Sequence, residues 1–223
     1  AALEIKEKLL LSASARRDIS KTELDLADGY VVYKDTGVKV ISIPDLAMES
    51  YYDRETSAPI TADVYHQTKS NALSMGASFA EVEVDMKTGK IEVLEIYNIH
   101  DAGKIMNRQL AEGQVHGGMS MSLGYALTEE LKFHEKTGKP LNNNLLDYKL
   151  PTMMDTPDFG VEFVETYDPT GPFGNKSLGE PPAISPAPAI RNAVLNATGV
   201  AFNALPMNPQ SVFEKLSEVG KLG

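Results

Sequence analysis

The chain has no cysteine among its 223 residues. That absence excludes disulfides, a thiolate zinc site and any cysteine-held iron–sulfur cluster within it. No apolar run approaches the roughly 18–20 residues needed to cross a bilayer, so no membrane partner is expected. No charged-then-apolar signal segment opens the chain, and a cytoplasmic location is the default. There is no long basic run, and the net charge is −10. A nucleic-acid surface needs clustered Lys and Arg, so none is expected. The four histidines, His66, His100, His116 and His134, lack the spacing of zinc ligands, and no metal-ligating side chain is expected. Ser177 has no G-x-S-x-G elbow around it, and GQVHGG lacks the full spacing of a dinucleotide fingerprint.

What is present is an ordinary globular composition, 42% apolar. Residues 1–17 have Leu3, Leu9, Leu10 and Ala13 at helical spacing. This helix starts without Met or an evident cap, as expected of a cut from a longer polypeptide. Alternation from Leu24 to Ile43 predicts a β-hairpin turning at Asp35-Thr36-Gly37. Ile43 to Met48 opens a short helix with Pro44 in its first turn. Residues 50–75 are polar and read as a long connection. AEVEVDMKTGKIEVLEIYNIHD then alternates on both sides of Lys87-Thr88-Gly89, a second hairpin. A helix over Gln109–Leu131 buries a stripe of Val115, Met119, Leu123, Leu127 and Leu131. Its four glycines cost roughly 1 kcal/mol each against Ala, which points to close backbone approach by another group. A strand over Val161–Tyr167, a helix from Ala187 or Pro188 to Ala197 capped by Gly199, and a last helix from Pro209 complete the reading. Hairpins and helices without regular β-α-β alternation predict an α+β fold. We divide it into residues 1–75 and a segment 76–223 that carries the candidate chemistry.

Two segments stand out. In GPFGNKSLGEPP, residues 171–182, three glycines surround one carboxylate, Glu180, and two prolines come directly after it. Glycine lets backbone approach a ligand, and the prolines fix the turn and remove two donors. The residues alone leave open a plain surface turn with a solvated Glu. In the second segment, Gln114 sits among glycines, with Gly113 beside it, near a helix start. Its amide could hydrogen-bond an oxo or phosphate group, although alone it also reads as an exposed helix residue. Glu129 and Glu130 read as a solvated helix face. No second acid is visibly paired with Glu180, which argues against a glycosidase.

Taken in order, AEVEVDMKTGKIEV, HDAGKIMN, GQVHGGMSMSLGYALTEEL, NNNLLDYKLPTMMDTP, GPFGNKSLGEPP and AIRNAVLNATGVAFNALPMNPQSVFEKL resemble the molybdenum hydroxylase family of xanthine dehydrogenase and aldehyde oxidoreductase. The resemblance covers residues 80–219 well and is to the C-terminal part of the molybdopterin-binding subunit. Two departures are Asn107-Arg108 where the family often has Asn-Pro, and Ser177-Leu178 where it often has Gly-Val. The resemblance implies molybdenum held by a pterin dithiolene, with or without the cytosine dinucleotide extension, and iron–sulfur clusters and FAD on other domains or subunits. It implies oxidative hydroxylation of a purine, aldehyde or other N-heteroaromatic substrate with water-derived oxygen, Glu180 acting as general base. It places Gln114 and Gly113 beside the cofactor, and the backbone of Lys176, Ser177 and Gly179 on the pterin side. The implied partners are the remainder of the molybdopterin subunit, iron–sulfur and flavin subunits, and a small-molecule substrate. The open alternative is a non-catalytic structural or assembly fragment of the same subunit.

Overall fold

A computed structural model describes residues 1–53, 59–65, 67 and 70–222. His66 and part of the 50–75 connection lie outside them. The chain divides into two compact units, Ala1–Gln67 and Thr68–Gly223. Among the described residues no helix is long and apolar enough to cross a membrane.

The first unit contains α1 (Ala2–Arg17), β1 (Leu24–Ala27), β2 (Tyr30–Tyr33), β3 (Lys39–Ser42) and α2 (Ile43–Tyr52). The expected hairpin is a three-stranded antiparallel sheet in the order β1-β2-β3. Besides the turn before Lys39 there is an earlier one, where Asp28 and Gly29 both take positive φ. The Ser42 side chain accepts from Asp45 N and caps α2, with Pro44 in the first turn. Leu9, Leu10, Ala13, Val31, Ile41 and Leu46 form this unit's core.

The second unit is built on β4 (Met75–Val84), β5 (Ile91–Asp101) and β6 (Asp158–Phe163) in that order. β4 and β5 form the expected antiparallel hairpin, with an irregularity where Glu81 faces Glu95 and Val82 faces Val93. β6 runs parallel to β5, from Glu95 opposite Asp158 to His100 opposite Phe163. The strand expected over 161–167 thus starts and stops earlier. Val164 N still bonds His100 O, and then the chain leaves for a turn in which Gly171 N bonds Asp168 O. Between β5 and β6 comes α3 (Arg108–Leu127); α4 (Pro186–Thr198) and α5 (Pro209–Glu218) come after β6. Asn107 caps α3 by accepting from Leu110 N, and Asn208 caps α5 by accepting from Ser211 N. Gly199 closes α4 in the left-handed conformation, as expected.

The α3 stripe is buried at Val115, Met119 and Leu123, joining Ile96, Ile190, Val194, Met207, Val212 and Leu216 in one core. The helix ends at Leu127 rather than Leu131, because Thr128 N and Glu129 N both bond the Gly124 carbonyl and the chain turns away. Leu131 is exposed. Glu129 is not on a solvated helix face: it lies past the helix end and accepts from the Tyr148 hydroxyl at 2.7 Å. Helices packed on a mixed sheet in the second unit, and helices with a small antiparallel sheet in the first, make the fold α+β, as the sequence predicts.

Candidate active site

Helix α3 has two faces. Its buried face holds the core stripe. Its outer face carries Leu110, Gly113, Gln114, Gly117, Met121 and Tyr125, all exposed. A Cβ built on Gly113 or Gly117 meets nothing within 4 Å, so this face is open. Gly118 lies on the opposite side. A Cβ there would sit 2.7 Å from Pro182 Cβ and 2.9 Å from Pro182 C. The missing side chain is what lets the turn after Glu180 dock directly on the helix backbone, the close approach that the glycine content predicted.

That turn is a single 3-10 turn over Pro181–Ala183, closed by Ala183 N donating to Glu180 O at 2.9 Å. Each side of Glu180 is anchored. Before it, Gln114 Nε2 donates to Gly179 O at 2.6 Å, which uses one amide proton and leaves Oε1 and a second N–H for a ligand. After it, Asn98 Nδ2 donates to Pro182 O at 3.2 Å. Ala187 N donates to Ser122 Oγ on α3, tying down the start of α4.

The approach to the turn is anchored by charge. Lys176 Nζ lies 2.8 Å from Asp101 Oδ2, the two side chains being 11% and 15% exposed. Asp101 Oδ1 also accepts from Gly103 N and from Thr166 Oγ1. Burial opposes ionisation of Asp101, but the Lys176 ammonium with the Gly103 and Thr166 donors together outweigh it and hold the carboxyl below its usual range. Backbone completes the junction: Lys104 N bonds Gly174 O, and Lys176 N bonds Ala102 O. Gly103 has φ +67° and lies against Gly174 O and Lys176 N, so no side chain could stand there.

The structure therefore brings five of the six singled-out residues to one place. Gln114, Lys176 and Gly179 line a depression of ≈ 310 Å³ with Ala102, Met106 and Leu110. Gly113 lies on the same open helix face, and Glu180 comes directly after Gly179. Ser177 is exposed, and its carbonyl accepts from Ser74 Oγ. The Lys176 ammonium is occupied by Asp101, so the lysine contributes to this site through backbone and stem. Glu180 is exposed in this chain. A second depression, lined by Tyr125, Ala183, Ile184, Arg191 and Phe202, lies past the turn.

An organic cofactor that brings its own metal fits these residues. The face offers open space over two glycines, an amide with unused donor and acceptor capacity, and backbone at Gly179. Among the described residues no three of His, Cys, Asp and Glu gather as a protein metal site. His100, which the sequence left as an ordinary histidine, is buried on β5, with neither ring nitrogen in a hydrogen bond among the described residues. Burial pushes its pKa below the usual value, opposed weakly by the Met75 backbone. His116 and His134 are exposed and apart. Sequence reasoning missed Asn98, Ser78 and Asp101. The available signal was parity: Asn98 and His100 share the parity of Ile96, which puts polar groups on the core face of β5.

These features agree with the comparisons. The chain belongs to the molybdopterin cofactor-binding domain family, whose match covers residues 1–157 and so includes Gln114 and ends before Glu180. It is 43% identical over 221 residues to the xanthine dehydrogenase molybdenum-binding subunit of Escherichia coli O157:H7, covering 99% of this chain and 29% of that subunit. It is 30% identical to the nicotine 6-hydroxylase large subunit of Paenarthrobacter nicotinovorans, over 95% of this chain and 27% of that one. The solved Cu,Mo-CO dehydrogenase superposes with a TM-score of 0.78 at 26% identity, over 99% of this chain and 28% of its own. The family resemblance read from the sequence is borne out. The chain spans less than a third of the length of these relatives.

Proposed function

We propose that this chain is part of a molybdenum hydroxylase large subunit in which Glu180 is the general base. The supporting observation is the anchored turn: Gln114 holds Gly179, and Gly118 seats Pro182, so the backbone on both sides of Glu180 is fixed next to an open, glycine-bared helix face. When bound, the molybdenum–pterin group supplies the two-electron redox centre and lowers the pKa of water-derived oxygen. Gln114 and the backbone at Gly113 and Gly179 border the cofactor; Lys176 and Ser177 supply backbone on the pterin side. The Glu180 carboxylate removes the proton from the oxygen nucleophile, a role worth about 10²–10⁴-fold in rate. Its exposure in this chain makes the remainder of the subunit the wall that would exclude water from it. The substrate class is an N-heteroaromatic compound, a purine or an aldehyde; xanthine and nicotine, in the names of two relatives, are N-heterocycles. Iron–sulfur and flavin subunits would carry the electrons away. The pterin's cytosine dinucleotide form belongs to the same reading.

The test is Glu180→Gln in the full enzyme assembly. Turnover should vanish while molybdenum content stays at its wild-type level; unchanged turnover would remove Glu180 from the mechanism. A second reading, that this chain completes the subunit without supplying the base, is favoured only by the exposure of Glu180. It expects the variant to be active.

A further inference from the structure

The anchor on the far side of Glu180 runs through side chains that take no part in the proposed proton transfer. Asn98 is fully buried on β5, at a strand position whose neighbours of the same parity are Ile96 and His100. A polar side chain at such a position is costly unless its hydrogen bonds are made. Its partners can be assigned atom by atom. The Pro182 carbonyl can only accept, so the Asn98 amide must turn Nδ2 towards it. That leaves Oδ1 for Ser78, whose hydroxyl lies 2.7 Å away and must donate. Ser78 has one proton and has now used it. The Ser185 hydroxyl, 2.6 Å from Ser78 Oγ, is therefore the donor in that contact. The protons run one way, from Ser185 to Ser78 to Asn98 to the Pro182 carbonyl. The relay begins and ends in the same turn, five and two residues after Glu180, and is fastened to β4 and β5 between.

We propose that Asn98, with Ser78 and Ser185, positions the Glu180 carboxylate by pinning the turn after it to the sheet. The three act through the backbone of Pro182 and the first residue before α4, and none touches substrate. The proposal rests on Glu180 being the base. Gln114 fixes the preceding residue, Gly179, so loss of the relay leaves the far side of the turn held only by its packing on Gly118 and by the Ala187–Ser122 bond. Misplacement by a fraction of an ångström then costs rate rather than affinity.

The experiment uses the full enzyme assembly with N98D, S78A and E180Q side by side. N98D keeps the shape and the Ser78 bond but replaces the donor facing Pro182 O with an acceptor. S78A leaves the Pro182 bond and removes the support of Oδ1 together with the acceptor of the Ser185 hydroxyl. We expect kcat per molybdenum to fall about 10–100-fold in N98D, and less in S78A, with KM and molybdenum content unchanged. Amide hydrogen exchange at Ala183 and Ile184 should quicken in the same order. Wild-type kcat and exchange in both variants, beside an inactive E180Q, would overturn the positioning role. A loss of molybdenum with kcat per molybdenum preserved would overturn it too, because that pattern is merely structural. Turnover in E180Q would instead refute the assignment of the base, and this role with it.

Discussion

Replacing Gly118 by Ala tests the seat of the Glu180 turn with one added methyl. The new carbon would lie 2.7–3.0 Å from Pro182 Cβ, Pro182 C and Ala183 N, where ordinary contact begins at 3.4 Å. The helix cannot yield, because Val115 and Met119 on either side of this position are fully buried. The turn must yield instead, by about 0.4–0.7 Å, and two of the three atoms in its way are backbone. Overpacking of this kind costs about 1–3 kcal/mol. The better helix propensity of Ala returns about 1 kcal/mol. The net is a destabilisation of about 0–2 kcal/mol. The kinetic effect is separate: a displacement of about 1 Å in a catalytic group costs about 10²-fold, which puts this one near 10-fold. The assay is kcat per bound molybdenum in the full assembly, with thermal unfolding measured in parallel. G117A is the control for the unfolding measurement alone: its carbon meets nothing within 4 Å, so it takes the helix gain without moving the turn, although it adds a methyl to the open face. Wild-type kcat per molybdenum in G118A would refute the claim that this contact sets the position of the base.

Five further perturbations have outcomes set by the same architecture. K176M strands the largely buried Asp101 carboxylate and should destabilise the protein by about 3 kcal/mol or somewhat less, read by denaturant unfolding. Because the folded Asp101 carboxyl is held below its usual 3.8, its contribution is present above that pH and lost as pH falls through the depressed folded value; D101N should abolish that dependence. His100 is held below its usual 6.5, so stability is full above that pH and declines as the pH drops beneath it; H100F should flatten this limb, and an unchanged slope would exonerate the imidazole. Q114E sets a carboxylate against the Gly179 carbonyl, forfeits about 0.5–1.5 kcal/mol of hydrogen bonding and should lower molybdenum retention after dialysis. The isolated chain should retain no molybdenum, and stoichiometric metal in it would contradict the need for the rest of the subunit.

Much of this architecture was legible because it depends on short-range chemistry. The β4–β5 hairpin shows period-2 alternation around Lys87-Thr88-Gly89, and α4 and α5 carry their Gly199 and Pro209 punctuation. Gln114 and Glu180 were legible as a pair only through the resemblance, since 65 residues separate Gln114 from the carbonyl that it holds. What stayed hidden was long-range or polar. Nothing in Asp158–Phe163 announces that it pairs with Glu95–His100. The backbone of Lys176 was expected on the pterin side, and only the fold reveals Asp101 as the partner of its ammonium. Ser78 and Asn98 were given no role; the irregularity at Glu81–Val82 shifts the alternation, and Asn98 then shares the buried face with Ile96 and His100. Glu129 was misread because a helix written to Leu131 hides the turn made by the Gly124 carbonyl.

The direction of β6 carries a wider consequence. Strands that point the same way deliver their outgoing connections to the same rim, so the helix after β5 and the loop after β6 become neighbours without any sequence proximity. The ladder between Glu95 and Phe163, rather than the stretch joining the two strands, keeps the amide of one half in reach of the acid of the other. Residues 128–157 are then a tether whose length can drift, while a one-residue slip of β6 along β5 would carry the acid about 3.3 Å out of alignment.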